Sequence, residues 1–427
     1  MSAQTISEKI LSAKAGREVH AGDIAVCRAD LVIGTDASAP MAIDYFERMG
    51  GDRLHDASRV MFAFDHYSPP TSASTRAFHE RVRMFVQKYG GALHEVGEGI
   101  NFQLAGELGR VLPGDLVIGA DSHTVTCGAF NAFATGIGSS DLAAALITGQ
   151  VWLRVPETIK VVLTGQRKDG VYAKDIALAL VAIIGMEGAN YQTLEFSGSA
   201  LDDLTLEDRL VISNLGVEMD AKAAIFPFDS ATELYLAPRT PERRSPVASD
   251  GEARFAREIA LDVSTLPPQV ARPHAPGNVA PIDAVVGTPV QMVFIGTCTG
   301  GRVPDFHDAL QILERAGGHV ADTVQLVLTP ASREIETTLR NDGTLARFEA
   351  MGAIVTTNGC GACCGTSGVI PADNAVVLST ANRNFKARMG NATASIYLAS
   401  PAACAAAAAT GHITDPRVFV RASASRR

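Results

Sequence analysis

Short apolar runs alternate with segments of helical periodicity through most of the chain. In the first third, the apolar runs at residues 60–64 and 116–119 each end at a polar turn, and amphipathic segments of helical spacing separate such runs. Strand-sized apolar runs that alternate with helical segments are typical of βαβ units and a parallel sheet. The pattern therefore predicts an α/β fold, in which ligands bind at the carboxyl ends of the strands.

Three units follow one another in the predicted arrangement. The chain has 427 residues, which exceeds what one hydrophobic core usually holds. A new strand and helix begin at Pro156, and the polar stretch from Pro238 to Asp250 has the composition of a loop. We predict domains at residues 1–155, 156–284 and 285–427.

The composition narrows the class of protein. Hydrophobic residues make up 47% of the chain and charged residues 19%, as in soluble globular proteins, and the net charge of −9 opposes a nucleic-acid surface. No apolar run has the roughly 18 residues that a membrane span needs. The charged TISEKIL segment near the start does not have the pattern of a signal peptide. Seven cysteines in such a chain favour a reducing compartment, and we predict the cytoplasm.

Three cysteines form a candidate metal centre. Cys298 lies in GTCTGG after the apolar run MVFI, and Cys360 and Cys363 lie in NGCGACCG after AIVTT. Cysteine-bound iron–sulfur cubes and structural zinc normally use four protein ligands, so three ligands leave one position for a substrate oxygen. The spacing alone leaves three alternatives: a cluster, a zinc site completed by a histidine such as His307, and unconnected buried thiols.

Acids and imidazoles follow two of the predicted strands. They are Asp65 and His66 after the first strand, and Asp121, Ser122 and His123 after the second. Paired groups of different pKa suit proton transfer, so the residues indicate an active site. A salt-bridged surface pair is the alternative for Asp65 and His66.

Further polar groups lie in the second and third units. Asn214 and Glu218 share one helix face, and Asn382, Arg383 and Arg388 follow a late strand. Arginine forks bind carboxylates with two hydrogen bonds, which indicates a substrate with two or three carboxyl groups. Solvated helix surfaces are the alternative explanation for both groups.

Taken together, these segments resemble the aconitase superfamily, and within it the large subunits of 3-isopropylmalate dehydratase and the homoaconitase-like enzymes. The similarity runs from TISEKIL to TGHITDPR and includes DASAP, GADSHT, VPETIKV, VARPHAPGN, GTCTGGR, GCGACCG, STANRNFKARMG and YLASPAA. The resemblance implies three α/β domains of the aconitase type around a central iron–sulfur site, without the swivel domain of single-chain aconitases. It leaves little room for the zinc alternative.

The resemblance also implies a role for each candidate residue. The ligands of one [4Fe–4S] cluster are Cys298, Cys360 and Cys363, with Cys364 as a bystander. The catalytic groups are Asp65, His66, Asp121, His123 and Glu218. The substrate contacts are Ser122, Arg383, Arg388, Thr35 and Gln103, and the neighbours of the cluster are Asn214 and Asn382.

The implied reaction is the removal and readdition of water on a 2-hydroxy di- or tricarboxylate. Isopropylmalate is the favoured substrate, and homoaconitate, dimethylmalate and methylmalate are alternatives. The base of the family is a serine on the swivel domain, so the resemblance implies a small-subunit partner that carries it. No nucleic-acid or membrane partner is expected. A cluster protein without turnover, such as an iron sensor, is the alternative of another class.

Four positions depart from the pattern of the family. Phe102 replaces a histidine that partners the aspartate matched by Asp121, and Thr35 replaces a histidine or glutamine. Gly300 stands in the place of an asparagine and Ala362 in the place of a proline. We expect these changes to shift the substrate or to mark a specialised paralogue, with loss of activity as the alternative.

Overall fold

The computed structural model describes residues 3–242, 244–366 and 368–420. The ends of the first and third predicted units, residues 1–2 and 421–427, lie outside the described residues. The helices are α1 Ile6–Ala15, α2 Ala39–Arg48, α3 Ala73–Tyr89, α4 Asn101–Glu107, α5 Ser139–Thr148, α6 Ala173–Ile184, α7 Leu206–Asn214, α8 Ser230–Leu236, α9 Val303–Arg315, α10 Arg333–Asn341, α11 Thr344–Ala350 and α12 Pro401–Thr410.

The strands alternate with these helices, which confirms the predicted α/β class. They are β1 Ile24–Arg28, β2 Leu31–Thr35, β3 Val60–Ala63, β4 Ala92–His94, β5 Leu116–Gly119, β6 Phe133–Gly136, β7 Gln150–Arg154, β8 Thr158–Thr164, β9 Thr193–Ser197, β10 Ala223–Ile225, β11 Arg257–Asp262, β12 Gln269–Ala271, β13 Val279–Pro281, β14 Met292–Gly296, β15 Gln325–Thr329, β16 Ile354–Val355, β17 Val376–Ser379 and β18 Ser395–Leu398.

The first large sheet is parallel and has the strand order β4-β3-β2-β5-β6. The chain winds outward from β2 through β3 to β4 and then returns to the other side of β2 at β5. The strand order therefore reverses between β2 and β5, and this switch point opens a crevice at the carboxyl ends of the strands. The polar turns after β2, β3 and β5 all lie at this edge.

Two further sheets complete the α/β architecture. One has the parallel order β10-β9-β8-β11, and the other has the order β13-β12-β18-β17-β14-β15-β16. In the second of these, β14 to β18 are parallel, whereas β12 pairs antiparallel with β13 and β18. Strands β1 and β7 form a separate antiparallel ribbon. The boundaries of the three units stay a prediction.

Local sequence chemistry sets the ends of several helices. At α1, the Thr5 side chain accepts from the backbone N–H of Glu8, and the Glu8 carboxylate accepts from the N–H of Thr5. Gly16 ends the helix with a left-handed φ of 67°. The alanine-rich helix α12 is buried along residues 401–409, because its small side chains allow close packing against α9 and β14.

The polar edge of the first sheet faces the edge of the third sheet at which the cysteines lie. The backbone N–H of Cys360 donates to the carbonyl of Asp65 at 2.8 Å. The Ser68 hydroxyl donates to the carbonyl of Asn358 at 3.0 Å. These bonds fix the turn after β3 against the turn after β16. Within the described ranges, none of the helices has the length and apolar character that a membrane crossing needs.

Candidate active site

A cavity of about 210 Å³ lies between the facing edges of the first and third sheets. Its wall brings together most of the predicted site residues: Thr35, His66, Asp121, Ser122, His123, Cys298, Cys360, Cys363, Asn382, Arg383 and Arg388. Asp65, Asn214 and Glu218 lie behind this wall, and each contacts a residue that lines it. The carboxyl ends of strands from two different sheets therefore build one site.

The three predicted metal ligands line this cavity, and polar groups contact two of them. The Asn382 amide donates to Cys298 Sγ at 3.4 Å, and its oxygen accepts from Cys363 Sγ at 3.6 Å. Arg388 Nη2 donates to Cys363 Sγ at 3.6 Å. Donors around a sulfur stabilise its anionic form and orient it, as partners of metal ligands do.

The chemistry of these donors fits an iron–sulfur group. Burial raises the pKa of Cys298 to about 12, and the neighbouring Cys363 thiol adds to this effect. A bound metal reverses that balance because thiolates are the ligands that it needs. Three sulfur atoms in one cavity, with an amide and a guanidinium turned toward them, suit the negative charge of an iron–sulfur group.

A buried carboxylate orients the first imidazole. Asp65 Oδ1 lies 2.7 Å from His66 Nδ1, while Asp65 Oδ2 accepts from the backbone N–H of Asn101 at 3.0 Å. His66 Nε2 lies 3.7 Å from Asp121 Oδ2. Burial by itself lowers the pKa of His66, but Asp65 and Asp121 raise that pKa well above its ordinary value. The two carboxylates therefore favour the protonated form of His66, and one nitrogen of its ring is directed toward the cavity.

Asp36 fixes the backbone at His66. It was not among the site residues predicted from the sequence. Its carboxylate accepts from the backbone N–H groups of His66 at 3.0 Å and Tyr67 at 2.8 Å, and His79 Nε2 lies 2.9 Å from it. Asp36 is buried directly after strand β2. An acid at the carboxyl end of a central strand was the signal in the sequence that could have identified it.

A second imidazole is paired in the same way. His123 Nε2 lies 3.0 Å from Glu218 Oε1, and Arg383 Nε lies 2.8 Å from the same oxygen. Burial raises the pKa of Glu218, but the hydrogen bond and charge of His123 and the charge of Arg383 bring it below the usual value. Glu218 is thus an ionised carboxylate that fixes the positions of His123 and Arg383.

The positions at which the sequence departs from the family pattern differ in their surroundings. A Cβ on Gly300 would lie 2.3 Å from Thr380 Cβ, so Thr380 occupies the space that a side chain at position 300 needs. Phe102 lines the cavity from the first turn of α4, and Thr35 lines it with its hydroxyl 3.1 Å from that of Ser38. Gln103 instead binds Glu107 and Arg302, outside this cavity, and its role as a substrate contact stays a prediction.

Comparison with known proteins identifies the family. The profile of the Aconitase family (aconitate hydratase) matches residues 8–289 and 284–411. The chain belongs to the aconitase family. It is similar to the 3-isopropylmalate dehydratase large subunit 1 of Methanopyrus kandleri, with 42% identity over 98% of this chain and 100% of the relative. The similarity is 43% to large subunit 1 of Thermotoga maritima and to large subunit 2 of Archaeoglobus fulgidus, each over 98% of this chain and 100% of the relative.

Membership in the aconitase family bears on the chemistry of the cysteine site. The family implies an iron–sulfur group, and the three cysteines meet at one cavity beside two carboxylate–imidazole pairs. His307, the example of a histidine that could complete a zinc site, instead pairs with Asp342 outside the cavity.

Proposed function

We propose that the chain is the cluster-bearing large subunit of a hydro-lyase that removes water from a 2-hydroxy di- or tricarboxylate and adds it back. Isopropylmalate is the favoured substrate. The observation that carries the proposal is one cavity lined by three cysteines, two imidazoles and two arginines, with a buried carboxylate paired to each imidazole. The full-length similarity to proteins named 3-isopropylmalate dehydratase large subunit supports the choice of substrate.

Two arginines and a serine bind the substrate in this proposal. Arg383 and Arg388 both line the cavity, and the planar forks of their guanidinium groups match carboxylates. Glu218 neutralises part of the charge of Arg383, whereas Arg388 forms no ion pair among the described residues. We assign Arg388 the larger share of carboxylate binding and Ser122 a hydrogen bond to the substrate.

Proton transfer falls to the imidazolium of His66. Its Nε2 atom faces the side of the cavity that Asp121 lines, and a proton there can pass to a hydroxyl as the C–O bond breaks. Asp65 and Asp121 stabilise the charged ring before the proton leaves. After the transfer the ring is neutral, and the departing hydroxyl leaves as water. Cys298, Cys360 and Cys363 would hold an iron–sulfur cluster, which would supply Lewis-acid chemistry.

Removal of the proton from the carbon next to the substrate carboxylate requires a base. We assign this base to a small-subunit partner. The relatives are named large subunits, and the chain spans their full length. We infer that the partner presents a serine across the mouth of the cavity and that the complex works in the cytoplasm. The isolated chain should hold the cluster without catalysing turnover.

Electron paramagnetic resonance of the anaerobically reconstituted chain tests the open iron. Mild oxidation should release the iron that lacks a cysteine ligand and give a three-iron signal, and ferrous iron should then remove the signal. A cluster that resists oxidation would indicate a fourth protein ligand and would favour a sensor without turnover. Failure of the chain to bind iron and sulfide would overturn the proposal.

Phe102 should set the preference for an apolar side chain on the substrate. Its ring forms part of the cavity wall and is 2% exposed. We expect Phe102→His to lower kcat/KM for isopropylmalate relative to a hydroxy tricarboxylate by about 10-fold, because apolar contact discriminates between substrates by roughly that factor. Phe102→Leu keeps an apolar wall and should retain the preference. Equal ratios in both variants, measured with the small subunit present, would remove Phe102 from substrate selection.

A further inference from the structure

The outer face of the ribbon formed by β1 and β7 carries an apolar patch. Alternate residues of both strands are buried, and this inner face packs into the hydrophobic core on one side of the first sheet. The outer face presents Ile24 at 57% exposure, Val26 at 55% and Trp152 at 61%, and Val26 lies directly opposite Trp152. The exposed face of an antiparallel pair is usually polar, so a cluster of large apolar side chains there indicates an interaction surface.

A groove of about 620 Å³ links this face to the active site. Trp152 and Ser122 both line the groove, and Ser122 also lines the cavity that contains the three cysteines. Tyr191 forms part of the groove wall between two cations, with the guanidinium carbon of Arg154 5.1 Å and Nζ of Lys222 5.4 Å from its ring centroid. The Tyr191 hydroxyl also accepts from the backbone N–H of Arg154 at 3.3 Å. These contacts hold the ring in place, so this wall is already formed before a partner binds.

The charges around the patch define the chemistry of a partner that would fit it. Arg28 and Arg154 lie at opposite ends of the outer face of the ribbon, and neither forms a salt bridge with another of the described residues. Asp141 and Asp220, in contrast, line the groove. A complementary partner therefore has an apolar centre, acidic groups that face the two ends of the ribbon, and a basic group that enters the groove.

We propose that the outer face of this ribbon and the adjoining groove are the docking surface for the small subunit. The base that this subunit supplies must reach the mouth of the active-site cavity, and the groove leads to that cavity at Ser122. Trp152 is the aromatic anchor of the surface, since exposed tryptophans at the centre of an interface carry much of the binding energy. The ribbon residues lie outside the cavity, so they determine the affinity for the partner and not the chemical step. The inference rests on the proposed function, which assigns the base to this subunit.

Calorimetric titration of the cluster-loaded chain with the purified small subunit tests this surface. Trp152→Ser removes the aromatic anchor, and Arg28→Glu reverses the charge at one end of the ribbon. We expect each variant to raise the Kd for the small subunit by about tenfold or more, as the loss of a central contact residue does. Arg28→Glu should also weaken the salt dependence of the association rate. The cluster content, and the kcat at saturating small subunit, should stay at the wild-type values in both variants.

Met84→Ser is the matched control, because Met84 has the same 61% exposure as Trp152 but lies on α3 and outside the groove. Its Kd should equal that of the wild type. An unchanged Kd in both Trp152→Ser and Arg28→Glu would overturn the inference and leave the proposed function intact. A wild-type chain that turns over isopropylmalate without the small subunit, or that does not bind it, would overturn the proposed function.

Sedimentation of the wild-type chain alone distinguishes a second copy from the small subunit as the occupant. Self-association that Trp152→Ser abolishes, together with an unchanged Kd for the small subunit, would assign the face to a second copy and overturn the inference. If Trp152→Ser does not fold, the Kd of Arg28→Glu decides the outcome.

Discussion

Cys360→Ser should abolish the binding of the iron–sulfur group. The thiol lies in the turn that follows β16, and its backbone N–H bonds to the Asp65 carbonyl, so the replacement changes the ligand atom while the turn stays anchored. A serine hydroxyl is a much poorer ligand for iron than a thiolate, and two remaining cysteines cannot hold a cube. Iron and sulfide contents of the reconstituted variant, with visible absorbance, measure the effect. We expect contents near zero.

Cys364→Ser is the matched control for this prediction. Its thiol lies four residues from Cys360, but it is outside the cavity lining, and its sulfur lies 2.8 Å from the Thr366 hydroxyl. The cluster content of this variant should match that of the wild type. Full cluster content in Cys360→Ser, or its loss in Cys364→Ser, would show that the assignment of the ligands is wrong.

His66→Asn should lower kcat by about 10²- to 10⁴-fold, which is the contribution of a positioned acid–base group. The asparagine keeps a hydrogen-bonding side chain between Asp65 and Asp121 but cannot donate the proton of an imidazolium. The variant should bind the same amount of iron and sulfide as the wild type, because His66 is not among the predicted ligands. Turnover of isopropylmalate with the small subunit present measures the effect.

The pH profile gives this prediction a second readout. Asp65 and Asp121 raise the pKa of His66 above its ordinary value, so the acid form is present at neutral pH and is lost as the pH rises through the raised pKa. Activity of the wild type should therefore fall on the alkaline side, and His66→Asn should lack this limb. A control variant, His94→Gln, changes a histidine that pairs with Glu98 outside the cavity and should keep both the rate and the profile. A wild-type rate in His66→Asn would remove His66 from proton transfer.

The strands at the site could be predicted because each is a continuous apolar run that ends at a polar turn. Leu116–Gly119 and the strand before Cys298 are present where the pattern indicates them. The run before Cys360 forms only the two-residue strand Ile354–Val355. Periodicity reports which residues are buried and not where pairing stops.

Two features of the site depend on contacts across the chain that no local pattern contains. Asp36 bonds to the backbone after β3, about thirty positions away, so its role emerges only when β2 and β3 pair. Thr380 fills the space beside Gly300, where the family pattern has an asparagine. The sequence shows only that a side chain is missing at this position, whereas the structure shows which residue occupies the space. Both contacts arise between neighbouring strands of one sheet or between the loops that follow them.

The sequence by itself determined the α/β class, the family and the residue types of the site, because apolar periodicity and cysteine, histidine, acid and arginine motifs are local properties of the chain. Only the tertiary structure decided that two sheets meet at their carboxyl edges and that His66 lies between two carboxylates. Distances between groups far apart in sequence, and the burial that shifts their charges, are set by packing, which a linear pattern does not contain.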